Sequence, residues 1–83
     1  MSKITIYTAP LCPYCAQAKR LLGSKNINFK EIDIGHDPAL RKELMNKCQR
    51  HTVPQIFNDD KHIGDCTEIF TLEQHGELDA LLA

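Results

Sequence analysis

The alternation of apolar and polar positions divides the chain into short strands and amphipathic helices. Residues 3–8 alternate as a strand, with Ile4 and Ile6 on one face and Tyr7 on the other. Residues 13–23 switch to helical spacing, with Ala18, Leu21 and Leu22 on the inner side. Gly23 to Asn26 close that helix, and Asn26 tolerates the left-handed conformation that often ends one. Phe29 to Ile34 is a second strand with Ile32 and Ile34 in phase. Two strands joined through a helix imply a parallel, right-handed βαβ unit. Asp37-Pro38 then has the form of an N-cap followed by proline at the first helical position. This helix is expected to run to about Arg50 and to bury Leu40, Leu44 and Met45. Pro54 to Phe57 is a third strand, Asn58-Asp59-Asp60 a turn and Lys61 to Ile63 a fourth strand, which makes a hairpin. Gly64-Asp65 leads into a helix carrying Ile69, Phe70 and Leu72; Gly76 ends it, and residues 77–82 add a further turn. The plan is α/β: a four-stranded mixed sheet, βαβ then ββα, with helices on both faces.

Composition narrows this picture rather than changing it. Eighty-three residues suit a single domain over 1–83 whose core must be packed efficiently. The formal charge of −1, with basic residues only in scattered pairs such as Lys19-Arg20, excludes a nucleic-acid binder of the usual kind. Met1-Ser2-Lys3 runs straight into the first strand without the apolar region of a signal peptide, and no run reaches membrane-spanning length. A cytoplasmic or other reducing location is therefore expected, where a CxxC pair is catalytic or metal-binding rather than a structural crosslink.

That pair is Cys12-Pro13-Tyr14-Cys15, at the change from strand to helix. A helix N-terminus presents unsatisfied N–H groups and partial positive charge, which stabilise a thiolate, the form that attacks disulfides. Pro13 suits the first turn because its missing N–H is one of the orphan donors. The spacing lets Cys15 close a small disulfide ring with Cys12, which is a redox switch.

With this dipeptide-spaced pair after the first strand, the order of elements and two later motifs resemble the glutaredoxins, in particular their small bacterial dithiol type. The motifs are Thr52-Val53-Pro54-Gln55-Ile56-Phe57 and Ile63-Gly64-x-Cys66, and the resemblance runs from Ile4 to about Leu82. It implies a thioredoxin-like fold and glutathione-dependent reduction of protein disulfides and glutathione mixed disulfides. Carried over by position, Cys12 is the nucleophile and Cys15 the more buried resolving thiol. Pro54 corresponds to a cis-proline beside the dithiol, turning Val53 so that its backbone pairs with a bound peptide. Tyr14 flanks the glutathione groove, Thr52 and Val53 pair with the tripeptide backbone, and the Cys66 and Thr67 amides hold a ligand carboxylate, a role for which a helix N-terminus is suited. Glutathione is then a co-substrate, no metal or tightly bound cofactor is needed, and the chain acts as a monomer. Its partners are disulfide-bonded or glutathionylated proteins, with ribonucleotide reductase a family-level expectation.

Three positions depart from the family pattern: Ala9 stands where many members have lysine, Asp65 where many have glycine, and Thr67 where many have aspartate. Each lost ion pair, partly exposed, costs at most about 1 kcal/mol, so a weaker glutathione site is expected. Asp65 is also placed to cap the helix and to compete with the ligand carboxylate. The rivals are a glutaredoxin-like redoxin recharged by thioredoxin reductase and a zinc or iron–sulfur module completed through Cys48-x-x-His51 or a second chain. Cys48 otherwise reads as a helix-surface or half-buried thiol without a role, or as a glutathionylation site, the four histidines as surface residues, and Lys19-Arg20 as a solvated helix face.

Overall fold

The strands and helices arrange as a mixed sheet held between unequal helical layers. In the computed structural model, residues 3–83 are described; Met1 and Ser2 lie outside them, so the expected run of Met1-Ser2-Lys3 into the first strand is seen only from Lys3. The elements are β1 (Ile4–Thr8), α1 (Pro13–Ser24), β2 (Phe29–Asp33), α2 (Pro38–Cys48), β3 (Gln55–Asn58), β4 (Lys61–Gly64), α3 (Cys66–Gln74) and α4 (Leu78–Leu82). The sheet order is β2-β1-β3-β4, with β1 parallel to β2 and antiparallel to β3, and β3 antiparallel to β4. Among the described residues, no helix is long and apolar enough to cross a membrane.

The period-two alternation of β1 sorts its side chains between two cores. Ile4 and Ile6 join Ile56 of β3 against Ala18 and Leu22 of α1, Ile69 of α3, and Leu78 and Leu82 of α4. On the other face Tyr7 and Phe57 pack with Ile34 and with Leu44 of α2. Each fully buried Leu or Ile contributes about 1.5–3 kcal/mol, so the face carrying α1, α3 and α4 is the better anchored. The smaller core adds directional contacts: the Tyr7 and Phe57 rings meet edge to face at 5.5 Å, and Lys47 Nζ donates to the Tyr7 hydroxyl at 3.0 Å.

Several boundaries differ from the sequence expectation. The second helix stops at Cys48 rather than near Arg50 because Gln49 turns to φ 57°, its N–H reaching the Met45 carbonyl. Met45 is 37% exposed rather than buried; adjacent to Leu44, it is rotated about 100° around the helix axis, off the single stripe that α2 turns inward. Phe70 points outward in the same way beside the buried Ile69. β3 begins at Gln55, since Pro54 has no N–H to give the ladder, and Asn58 pairs with Ile4 and Lys61 instead of turning. The tight turn is Asp59-Asp60, with Asp59 at φ 52°. Ile34 lies past the end of β2 yet stays buried, its N–H bonded to the Thr8 carbonyl at 2.8 Å.

Candidate active site

Cys12 stands at the boundary of α1 rather than inside it. It is the N-cap, in extended conformation, and its Sγ accepts the Cys15 backbone N–H at 3.2 Å. The sulfur thus takes the place that a serine or aspartate oxygen usually fills, satisfying one of the helix's orphan donors. Pro13 occupies the first helical position as expected. Leu11, at φ 56° and fully exposed, turns the chain from β1 into this cap.

Cys15, one turn into α1, is 2% exposed. Burial pushes its thiol up to about 12, helped by its hydrogen bond to Cys12 and the neighbouring Cys12 charge; the Ala9 backbone and Lys19 act the other way. One thiol of the pair is presented to solvent against helix amides while its partner is kept protonated. Val53 closes the far side, its carbonyl 4.0 Å from Cys12 Sγ, and the Val53–Pro54 bond is cis as the resemblance implies.

Beside this pair runs a groove of about 280 Å³ lined by Tyr14, Thr52, Val53, Pro54, Asp65, Cys66 and Thr67. Each non-cysteine residue expected to bind glutathione therefore faces one cavity, and Cys66 with them. Tyr14 forms its rim, 60% exposed. Ala9 does not line it: with Cys12, Lys19, Glu31 and Asp33 it borders a separate depression on the other side of the dithiol. Lys19 is not a free solvated cation, since its Nζ pairs with Glu31 at 3.1 Å.

The N-terminus of α3 ends in this groove. Asp65 caps it, accepting the Glu68 N–H at 2.9 Å, while Glu68 returns a carboxylate oxygen to the Asp65 N–H at 3.0 Å. This capping box uses the N-cap and third amides; Cys66 and Thr67, at the first two helical positions, have no carbonyl in their own helix to bond. Gly64 makes the box possible: it sits at φ 149°, and a Cβ there would come within 2.8 Å of Glu68 Cβ. Arg50 grips Glu68 through both terminal guanidinium nitrogens, and its Nη1 lies 3.6 Å from Asp65 Oδ2. That guanidinium holds the Glu68 carboxyl below the usual carboxylate range. The Cys66 thiol is 4% exposed and is pushed up by burial, then by the Asp65 and Cys12 charges.

Sequence reasoning missed Arg50, Glu68, Gln55 and His62. The histidines do not all lie on the surface: His36, His51 and His75 are exposed, but His62 is half-buried and bonded to Gln55 at 2.7 Å. The available signal was Gln55 itself, a polar residue two positions before Phe57 and so on the same inward face of the strand. Cys48 is half-buried against the Tyr7–Phe57 core, its thiol donating to the Leu44 carbonyl at 3.4 Å. All four cysteines are free, and no group of three or more His, Cys, Asp or Glu placed to hold a metal occurs among the described residues.

Comparison with known proteins gives a consistent picture. The family model described as glutaredoxin matches residues 4–63. Glutaredoxin 3 of Escherichia coli K12 is 46% identical over 82 residues, spanning 99% of this chain and 99% of that protein. A glutaredoxin of Pseudomonas aeruginosa is 46% identical over 83 residues, covering 100% of this chain and 99% of the relative. The solution structure of a glutaredoxin from Brucella melitensis superposes with a TM-score of 0.86 at 48% identity, covering 99% of this chain and 89% of that one.

Proposed function

Because this chain belongs to the glutaredoxin family, whose members are glutathione-dependent thiol–disulfide oxidoreductases, we propose that Cys12 and Cys15 carry that reaction here. Cys12 is the nucleophile and Cys15 the resolving thiol. The observation that supports the assignment is their asymmetry: Cys12 Sγ accepts a helix N–H at 3.2 Å, while Cys15 is buried with its thiol raised to about 12.

With a glutathionylated protein, the Cys12 thiolate attacks the glutathione sulfur. The bond between glutathione and protein breaks, the protein leaves as a thiolate that takes a proton from solvent, and Cys12 is left bonded to glutathione. A second glutathione thiolate attacks that glutathione sulfur, releasing oxidised glutathione and restoring the Cys12 thiolate. With a protein disulfide, Cys12 forms a mixed disulfide with one protein sulfur and expels the other. Cys15 then loses its proton and attacks Cys12, giving reduced substrate and a Cys12–Cys15 disulfide that two glutathiones reduce. Forming the mixed disulfide removes the Cys12 charge and hydrogen bond that hold Cys15 protonated, so the resolving thiol becomes easier to ionise at the step that needs it; burial still opposes it.

The groove lined by Tyr14, Thr52, Val53, Pro54, Cys66 and Thr67 holds the glutathione moiety. Thr52 and Val53 pair with its backbone, and the Cys66 and Thr67 amides take a carboxylate at the N-terminus of α3. Asp65 places a negative charge beside that carboxylate and Ala9 offers no cation, which favours a working site of reduced affinity. On this reading residues 1–83 act as one cytoplasmic domain and as a monomer, with glutathione as co-substrate and no tightly bound cofactor. Their substrates are disulfide-bonded or glutathionylated proteins, ribonucleotide reductase being one expected class.

The test is reduction of a glutathione mixed disulfide, coupled to glutathione reductase, with wild type, Cys12→Ser and Cys15→Ser. Turnover in wild type and Cys15→Ser but not in Cys12→Ser is expected. Absence of turnover in wild type would overturn the glutathione reading and favour a redoxin recharged by thioredoxin reductase. Although Ala9 borders the depression on the other side of Cys12 rather than the groove, a lysine there is expected to reach a glutathione carboxylate across Cys12, so Ala9→Lys should lower the KM for glutathione severalfold.

A further inference from the structure

Gln55 is a polar side chain with no exposed surface, and its amide is fully engaged. Nε2 donates to the Thr52 carbonyl at 3.1 Å and to the Thr52 hydroxyl at 3.3 Å, and Oε1 meets His62 Nε2 at 2.7 Å. The strand register explains how these atoms come together. Gln55 and Phe57 share the face of β3 opposite Ile56, and His62 of β4 pairs with Phe57, so His62 is the diagonal neighbour of Gln55. A bulge between Ile56 and Phe57 sets Gly64, rather than Ile63, opposite Ile56 and carries β4 on towards Asp65. The His62 ring lies 5.1 Å from that of Phe57, which limits its rotation.

We propose that Gln55 is a positioning residue for the Thr52–Val53 wall of the groove, holding that wall from beneath and held in turn by His62. The inference rests on reading this groove as the glutathione site. Thr52 and Val53 precede the first residue of β3 and belong to no strand or helix. Their alignment therefore needs a tether outside the sheet ladder, and the Gln55 amide supplies one to the very residue whose backbone is to pair with ligand.

The hydrogen-bond pattern also fixes the chemical sense of the relay. The Thr52 carbonyl only accepts, so the Gln55 NH2 must face it, and the amide oxygen must face His62. His62 Nε2 therefore carries a proton and donates it. Burial disfavours the imidazolium and Arg50 acts with it, while Glu68 and Asp65 oppose. Neutral and protonated rings both present Nε2–H, so the relay persists on either side of the His62 titration.

Two variants separate positioning from simple packing. Gln55→Met keeps bulk and removes every hydrogen bond; His62→Phe keeps the ring against Phe57 and removes only the donor. In the glutathione mixed-disulfide assay, Gln55→Met should raise KM about tenfold and His62→Phe about threefold, with kcat within about twofold of wild type, because misalignment of a binding wall acts on ligand affinity. The double variant should be no worse than Gln55→Met, since His62 acts only through Gln55. Backbone 15N order parameters of the free protein give a readout independent of turnover. Those of Thr52 and Val53 should fall from about 0.85 towards 0.6 in Gln55→Met, while those of β1 stay unchanged.

A folded Gln55→Met protein with wild-type KM and unchanged order parameters at Thr52 and Val53 would overturn the proposal. So would a lowered melting temperature with KM unmoved, or a full His62→Phe effect persisting in the Gln55→Met background. Absence of turnover in wild type would defeat the functional reading instead, and the order parameters would still decide whether Gln55 positions the wall.

Discussion

Two helix N-termini meet at this site, and each has a cysteine at or next to its cap, in different surroundings. At α1 the capping atom is itself a sulfur: Cys12 Sγ accepts the Cys15 N–H, so the helix end points a donor at that sulfur. At α3 the cap is the Asp65 carboxylate, locked by Glu68 and flanked by Arg50, and the cysteine has moved one position inward. Cys66 therefore has a buried sulfur, a carboxylate beside it and a thiol pushed upward, while its backbone lines the groove. A one-residue difference in where the cysteine falls relative to the cap separates the proposed nucleophile from the proposed groove wall. The helix end supplies positive potential in both cases; the proposed roles differ because a thiol occupies one cap and a carboxylate the other.

The largest predicted contrast lies between the two cysteines themselves. Cys12→Ser should lower mixed-disulfide turnover by about a thousandfold or more, since a hydroxyl is not ionised at neutral pH. Cys66→Ser should leave kcat within about threefold of wild type and cost roughly 1–2 kcal/mol of stability in chemical denaturation, the penalty of burying a hydroxyl in an apolar setting. Comparable losses of activity from both would erase the distinction.

Within α1 the division of labour is expected to depend on substrate and pH. Cys15→Ser should abolish release of protein-disulfide substrates while retaining glutathione mixed-disulfide turnover. Because the Cys15 thiol is raised, its proton is still held at neutral pH. In the mixed disulfide the Cys12 contributions are gone but burial still holds the thiol up, so the resolving step in wild type should accelerate as pH rises above neutral, followed by stopped-flow under single-turnover conditions. A resolving rate flat with pH would contradict the protonated Cys15.

Sharpening the comparison from the α3 side calls for Asp65→Gly. Replacing this cap by glycine costs only a few tenths of a kcal/mol through the cap itself, whereas removing the carboxylate should lower the KM for glutathione severalfold. Stability and affinity would then move in opposite directions. The smallest effect concerns Glu68, whose folded-state carboxyl is held low chiefly by the Arg50 hydrogen bonds, though the side chain is 44% exposed. Its contribution is present above the unfolded-state pKa and is lost as pH falls through the lower folded value. With solvent screening it amounts to at most about 1 kcal/mol. Glu68→Gln should accordingly narrow the stability gap between neutral and acidic pH in urea titrations.

The parts of this arrangement legible in the sequence were those governed by local chemistry. The period-two pattern of β1 assigned Ile4, Ile6 and Tyr7 to the correct faces, and Asp37-Pro38 marked the start of α2 because capping depends on neighbouring residues alone. Boundaries slipped where a single backbone residue decides them, as at Gln49, whose left-handed turn shortened α2. Met45 was misplaced because α2 buries only a narrow stripe, a property of the sheet it meets rather than of its own spacing. At the site, the residues of the groove came from motifs, whereas Arg50–Glu68 and Gln55–His62 join separate elements and leave no local pattern. Asp65 is instructive in both respects: its capping role was readable from sequence, its ion pair with Arg50 was not.

On the proposed mechanism Cys12 is the most reactive of the four free cysteines. The most direct test is alkylation of the fully reduced protein with substoichiometric iodoacetamide at neutral pH, with each modified cysteine mapped by mass spectrometry over time. Modification at Cys12 well ahead of Cys15, Cys48 and Cys66 is the expected result. Labelling of Cys66 or Cys15 at a rate matching that of Cys12 would contradict the assignment of nucleophile and wall to the two helix ends.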